Sequence, residues 1–133
     1  MKTFFRLFTA AIVSILLQSC VGYNPHEIFT PLKTDYKVDC PSPPENVQLL
    51  FEGEPVNFEY ERVGLIEVQA EYTGKEADQL KTLTNLAKSK CCDAVIGIKK
   101  GYVTREMGLV FTTEPNQTFQ AVSFSGIAVI KKK

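Results

Sequence analysis

The 133-residue chain has a single histidine, His26, and no CxxC pair among its four cysteines. One imidazole in a stretch without convergent acids or thiols gives no basis for a histidine-centred triad or metal cluster, because both roles need partner groups around the ring. His26 is therefore expected to be solvated. A charge excess of one sign is also missing, since 15 Lys and Arg balance 15 Asp and Glu. Without basic excess there is no electrostatic reason to expect a nucleic-acid partner. Long hydrophobic runs are absent too. The apolar stretch from Leu7 to Leu17 falls short of the about 20 residues that a permanent bilayer span requires.

What is present at the N-terminus is the three-part layout of an export signal over residues 1–19: Lys2 and Arg6, then the apolar run, then small or polar residues before Cys20. Within it, Leu17-Gln18-Ser19-Cys20 resembles a bacterial lipobox, with an aliphatic residue three before the cysteine and a small one just before it. The resemblance implies that Cys20 receives a diacylglyceryl thioether, becomes the mature N-terminus and is then N-acylated, for instance with palmitate. Each buried CH₂ adds about 0.8 kcal/mol, so two or three acyl chains would hold the protein at a membrane almost permanently. Loss of residues 1–19 removes Lys2 and Arg6 and leaves 13 basic against 15 acidic side chains. Val21-Gly22-Tyr23 carries no aspartate after the lipidated cysteine, which points to the outer rather than the inner membrane.

Residues 20–44 include Pro25, Pro31, Pro41, Pro43 and Pro44 and read as a lipidated, semi-rigid tether, with docking of Ile28, Phe29 and Leu32 on the domain as the alternative. With Cys20 lipidated, three thiols remain. Export to an oxidising compartment makes a structural disulfide the natural expectation. Neighbouring cysteines rarely bridge each other, so Cys40 is expected to pair with Cys91 or Cys92. Cys91 is favoured, because Cys92 lies closer to a buried strand, but the choice stays open.

Residues 45–133 read as an α+β domain: a small mixed or antiparallel sheet of about four to five strands on one main helix, roughly 75–91, in the order β-β-α-β-loop-β. Leu80, Leu83, Leu86 and Ala87, with Ala77 a turn earlier, form one apolar helical stripe. Thr73 or Gly74 is the expected cap, with Glu76 and Asp78 in the first turn. The β-branched blocks Ala94-Val95-Ile96-Gly97-Ile98 and Gly126-Ile127-Ala128-Val129-Ile130 are expected side by side in the middle of the sheet. In the earlier strands Val47, Leu49 and Phe51, then Phe58, Tyr60, Val63, Leu65 and Val68, are expected inward. The phase changes near Gly64, a position that suggests a bulge or a close backbone approach. Met107, Leu109, Val110 and Phe111 form an apolar patch that either joins the core or marks a contact surface.

The sequences Tyr60-Glu61-Arg62-Val63-Gly64, Cys91-Cys92-Asp93-Ala94-Val95-Ile96 and Gly126-Ile127-Ala128-Val129 resemble a group of small bacterial domains. In that group a Y-x-x-[IV]-G strand precedes a helix ending in A-x-x-x-G-A-D-A-V-I, and a closing strand reads G-x-A-[IV]. The group includes envelope lipoproteins, among them the lipoprotein sensor of the Rcs stress phosphorelay, and more distantly a pentamer-forming cytoplasmic family labelled as heavy-metal binding. The resemblance spans Val47 to Ile130 and brings no catalytic residues. Cys91 and Cys92 stand where the group has Gly-Ala, so Cys91 is expected at the left-handed position that closes many helices. The function these readings imply is a non-enzymatic, membrane-anchored envelope lipoprotein that serves as an interaction or sensing module, with an envelope protein as partner and no cofactor. The alternative is a metal- or redox-binding domain using Cys40, Cys91 and Cys92, with His26 as a further ligand. Glu59, Glu61, Glu67 and Glu71 are expected on a solvated strand face rather than as catalytic carboxylates.

Overall fold

Two β-branched blocks that cannot be exposed without large cost dictate the centre of the sheet. In the computed structural model, which describes residues 26–34, 36, 40–107 and 117–132, the described residues run β1 (His26–Pro31), β2 (Gln48–Phe51), β3 (Tyr60–Gln69), α1 (Glu76–Ser89), β4 (Ala94–Met107) and β5 (Gln117–Lys131). They form an α+β domain with a five-stranded mixed sheet in the order β1-β3-β5-β4-β2. β5 is central and antiparallel to both neighbours, with Ala94 opposite Val129 and Val95 opposite Ala128. β2 joins the far edge parallel to β4, and β1 joins the other edge antiparallel to β3.

Helix α1 covers one face. Leu83 and Ala87 are fully buried and Leu80 and Leu86 half-buried, against Val63, Ile66 and Val68 of β3, Val95 and Ile98 of β4, and Phe124 and Ala128 of β5. Ala77 stays exposed. The cap differs from the expectation: Lys75 is the N-cap and makes no side-chain capping bond. Tertiary burial, not capping, therefore carries this helix. At its other end Cys91 has φ 54°. The Cys91 N–H donates to the Lys88 carbonyl and the Cys92 N–H to the Ala87 carbonyl, each at 3.0 Å. This is a Schellman closure with cysteine in the place glycine usually takes.

Two bulges set which side chains face the helix. In β3 the register shifts between Arg62 and Gly64, and in β4 between Ile96 and Lys99 around Gly97, whose φ is +62°. The first shift turns Ile66 inward, only 1% exposed, and leaves Leu65 outward at 49%. The expectation that Leu65 is core is thus overturned, because one extra residue at the bulge reverses the alternation that follows. Phe51 also lies outward.

The segment read as part of the tether contains strand β1. Phe29 lies against the bare backbone of Gly64, where an added Cβ would sit 2.6 Å from the Phe29 ring and 2.8 Å from the Thr30 carbonyl oxygen. Glycine is required there by close approach, not by its dihedrals. The strand carries Pro31 without loss because an edge strand pairs on one side only. Beyond it, Tyr36 packs on Phe29 with ring centroids 5.9 Å apart and donates its hydroxyl to the Lys90 carbonyl.

On the side away from α1, a second cluster of Ala94, Ile96 and Val129 lies under Leu50, Val56, Phe58 and Tyr60. Among the described residues this cover reaches only one end of the sheet. β4 and β5 run on past the end of β3, where Gln69 faces Ser123, and their pairing continues to Met107 opposite Gln117. Leu109, Val110 and Phe111 of the apolar patch lie outside the described residues.

Candidate functional site

The part of the helix-free face that the described residues leave open forms a groove of about 370 Å³ between the edge strand β1 and the bulge of β4. Strand register divides its lining into two rows. One row runs Thr30, Leu65 and Ile127, each opposite the next, and Ile127 in turn faces Ile96, which is buried in the second cluster outside the groove. One step along the strands, Ile28, Glu67, Ser125 and Lys99 stand opposite one another in the same way. Glu67 and Lys99 therefore flank Ser125 on either side, about 10 Å apart at two strand spacings. Glu67 accepts a half-buried hydrogen bond from Gln69 Nε2 at 2.9 Å, and Lys99 pairs at 2.7 Å with Glu52, where both side chains are well exposed. The floor is opened by Gly97, where an added Cβ would meet nothing within 4 Å. Such a surface can bind by shape and charge.

The second constellation is the corner where the chain after β1 meets the end of α1. Cys40 and Cys91 form a disulfide with Cα atoms 5.3 Å apart, closing a separation of 51 residues. This is the pairing favoured from sequence. Cys92 is the remaining thiol among the described residues and is fully buried. Burial, reinforced by the Asp93 carboxylate, pushes its thiol up to about 12, against smaller opposing effects of Lys90 and of a hydrogen bond with Tyr36. Tyr36 in turn is raised by its own burial and then by Cys92. A thiol so far from ionisation is neither nucleophile nor ready metal ligand.

No protein family, curated protein or solved structure matches the chain. The site is therefore read from its own geometry. Cys40 and Cys91 are consumed by the bridge, and among the described residues no group of three or more His, Cys, Asp or Glu side chains is placed to hold a metal ion. The three-thiol site considered from sequence is not formed. His26 lies exposed at the start of β1. The four glutamates do not converge: Glu61 pairs with Lys33, which holds its carboxyl below the usual range, and Glu67 lies in the groove, while Glu59 and Glu71 occupy the two segments flanking β3. Cys20 lies outside the described residues.

The groove was not apparent in the sequence, because the row Glu67-Ser125-Lys99 exists only once three strands are registered. The alternation Leu65-Ile66-Glu67-Val68 was the available signal, since it places leucine and glutamate on one face.

Burial gives Cys92 a measurable behaviour. Iodoacetamide added to the native, unreduced protein is expected to leave Cys92 unmodified, and the same reagent in denaturant to label it. Peptide mass mapping that found rapid native labelling would show that the corner opens in solution.

Proposed function

We propose that the protein is a non-enzymatic envelope lipoprotein, anchored at the outer membrane through acylated Cys20, whose open sheet face serves as an interaction or sensing surface for an envelope protein. The observation that carries this reading is the Cys40–Cys91 bridge. Bridges of this kind persist in oxidising compartments, in agreement with the export layout of residues 1–19. The resemblance of Leu17-Gln18-Ser19-Cys20 to a lipobox and of the domain to envelope lipoproteins supports the same reading.

Strand β1 sharpens it. His26 is six residues beyond Cys20, so a fully extended link reaches only about 20 Å. The domain edge would then stand close to the lipid surface instead of at the end of a long arm.

Intact mass of the protein taken from its own membranes tests the anchor. The expected mass lacks residues 1–19, carries added acyl chains on Cys20, and gains two hydrogens on reduction. An unacylated mature chain would overturn the anchored reading.

A further inference from the structure

The row Glu67-Ser125-Lys99 holds two opposite charges apart across three neighbouring strands. Glu67 and Lys99 both stand opposite Ser125, one on each side of β5, and two strand spacings separate their backbones by about 10 Å. Each has its nearest polar partner outside the groove lining, Gln69 for Glu67 and Glu52 for Lys99. Gln69 is neutral and leaves the carboxylate its charge. The Lys99–Glu52 pair is solvated and therefore weak, so the ammonium can take a second carboxylate at little cost.

Beside the charges the lining is apolar. Leu65, 49% exposed, and Ile127 form the neighbouring row, and Ile28 closes the β1 side. At the β4 side Gly97 leaves space, with nothing within 4 Å of an added Cβ. A volume of about 370 Å³ lies near the lower end of sites that take small ligands, about 300 to 1,000 Å³.

A ligand matched to this arrangement carries a cation and an anion about 10 Å apart, the spacing set by the strands, with apolar groups between them. An extended peptide advances about 3.3 to 3.6 Å per residue, so three residues bring a free α-ammonium and a free α-carboxylate to about that separation. We infer that the groove binds short zwitterionic peptides of about three residues with apolar side chains. The α-ammonium lies at Glu67 and the α-carboxylate at Lys99, which fixes the direction of the peptide across β5. Its side chains cover Leu65 and Ile127 and supply the apolar area. The inference gives a ligand to the sensing surface proposed above and rests on that reading of the open face, but not on acylation.

The test is calorimetric titration of the full chain, held in nonionic detergent micelles, with the tripeptide alanyl-leucyl-alanine and with its N-acetylated and C-amidated forms. The free tripeptide is expected to saturate with a Kd below about 1 mM, and each blocked form to bind roughly fivefold or more weakly. Glu67→Gln should bind the free and N-acetylated peptides alike while still preferring the free to the amidated one. Lys99→Met should show the reverse, binding the free and amidated peptides alike and still preferring a free amine. A groove that had merely misfolded would lose both preferences together. No saturation by about 10 mM, blocked peptides that bind as well as the free one, or variants that keep both preferences would overturn the inference. A chain that is acylated on Cys20 yet binds no tripeptide would overturn this ligand and leave the anchored reading standing.

Discussion

Replacing Cys40 by Ser and Cys91 by Ala together is expected to lower the unfolding free energy by roughly 4 kcal/mol. That is the chain-entropy value for a loop closed over a separation of 51 residues, a large part of the 5 to 15 kcal/mol typical of a domain. The closed loop contains β2, β3 and α1, so its loss frees three of the six elements in the unfolded state. A second variant separates the bridge from the backbone beneath it. Cys91 has φ 54°, a conformation that costs a non-glycine residue about 1 to 2 kcal/mol. Cys40→Ser with Cys91→Gly should therefore be about 1 kcal/mol more stable than the alanine version, once the greater chain freedom of glycine is set against the relief. Urea unfolding with and without reductant reads both effects. Equal stability of the two variants would show that the helix end rearranges when the bridge is gone.

Leu83→Ala is expected to cost roughly 3 to 5 kcal/mol, the range for deleting a buried leucine whose surroundings cannot collapse. Leu83 is 0% exposed and sits where α1 meets β3 and β5, and the rigid sheet beneath it offers little relaxation. Leu65→Ala is the contrast. The same chemical change at a residue 49% exposed should cost the monomer well under half as much, because most of its surface is already in water. Thermal melts of both variants measure the difference. Similar losses at the two positions would mean that Leu65 is covered in solution.

The pattern of burial explains what the sequence could and could not disclose. The helix and the two β-branched blocks were legible because each is governed by a local period and by residues that water excludes: Leu83 and Ala87 on one, Val95, Ala128 and Val129 on the others. Leu65 was misplaced because period two continues only until a bulge, and the extra residue between Arg62 and Gly64 reverses it. β1 was hidden among prolines, since its pairing depends on a partner some 40 positions away whose glycine admits Phe29. The bridge to Cys91 was favoured by elimination among thiols, whereas the groove required knowledge of which residues on three strands share a row. Local chemistry was readable, and cross-strand register was not.

The same bridge has a mechanical meaning. Tension drawn on the N-terminus would load β1 first, because that edge strand precedes every other described contact. The chain from His26 could then peel away as far as Cys40, a contour of about 50 Å. There the covalent link to Cys91 passes the load to the end of α1, and the sheet under the helix need not unravel. The domain thus has a built-in slack and a hard stop: a fuse of one strand, with the core protected behind it.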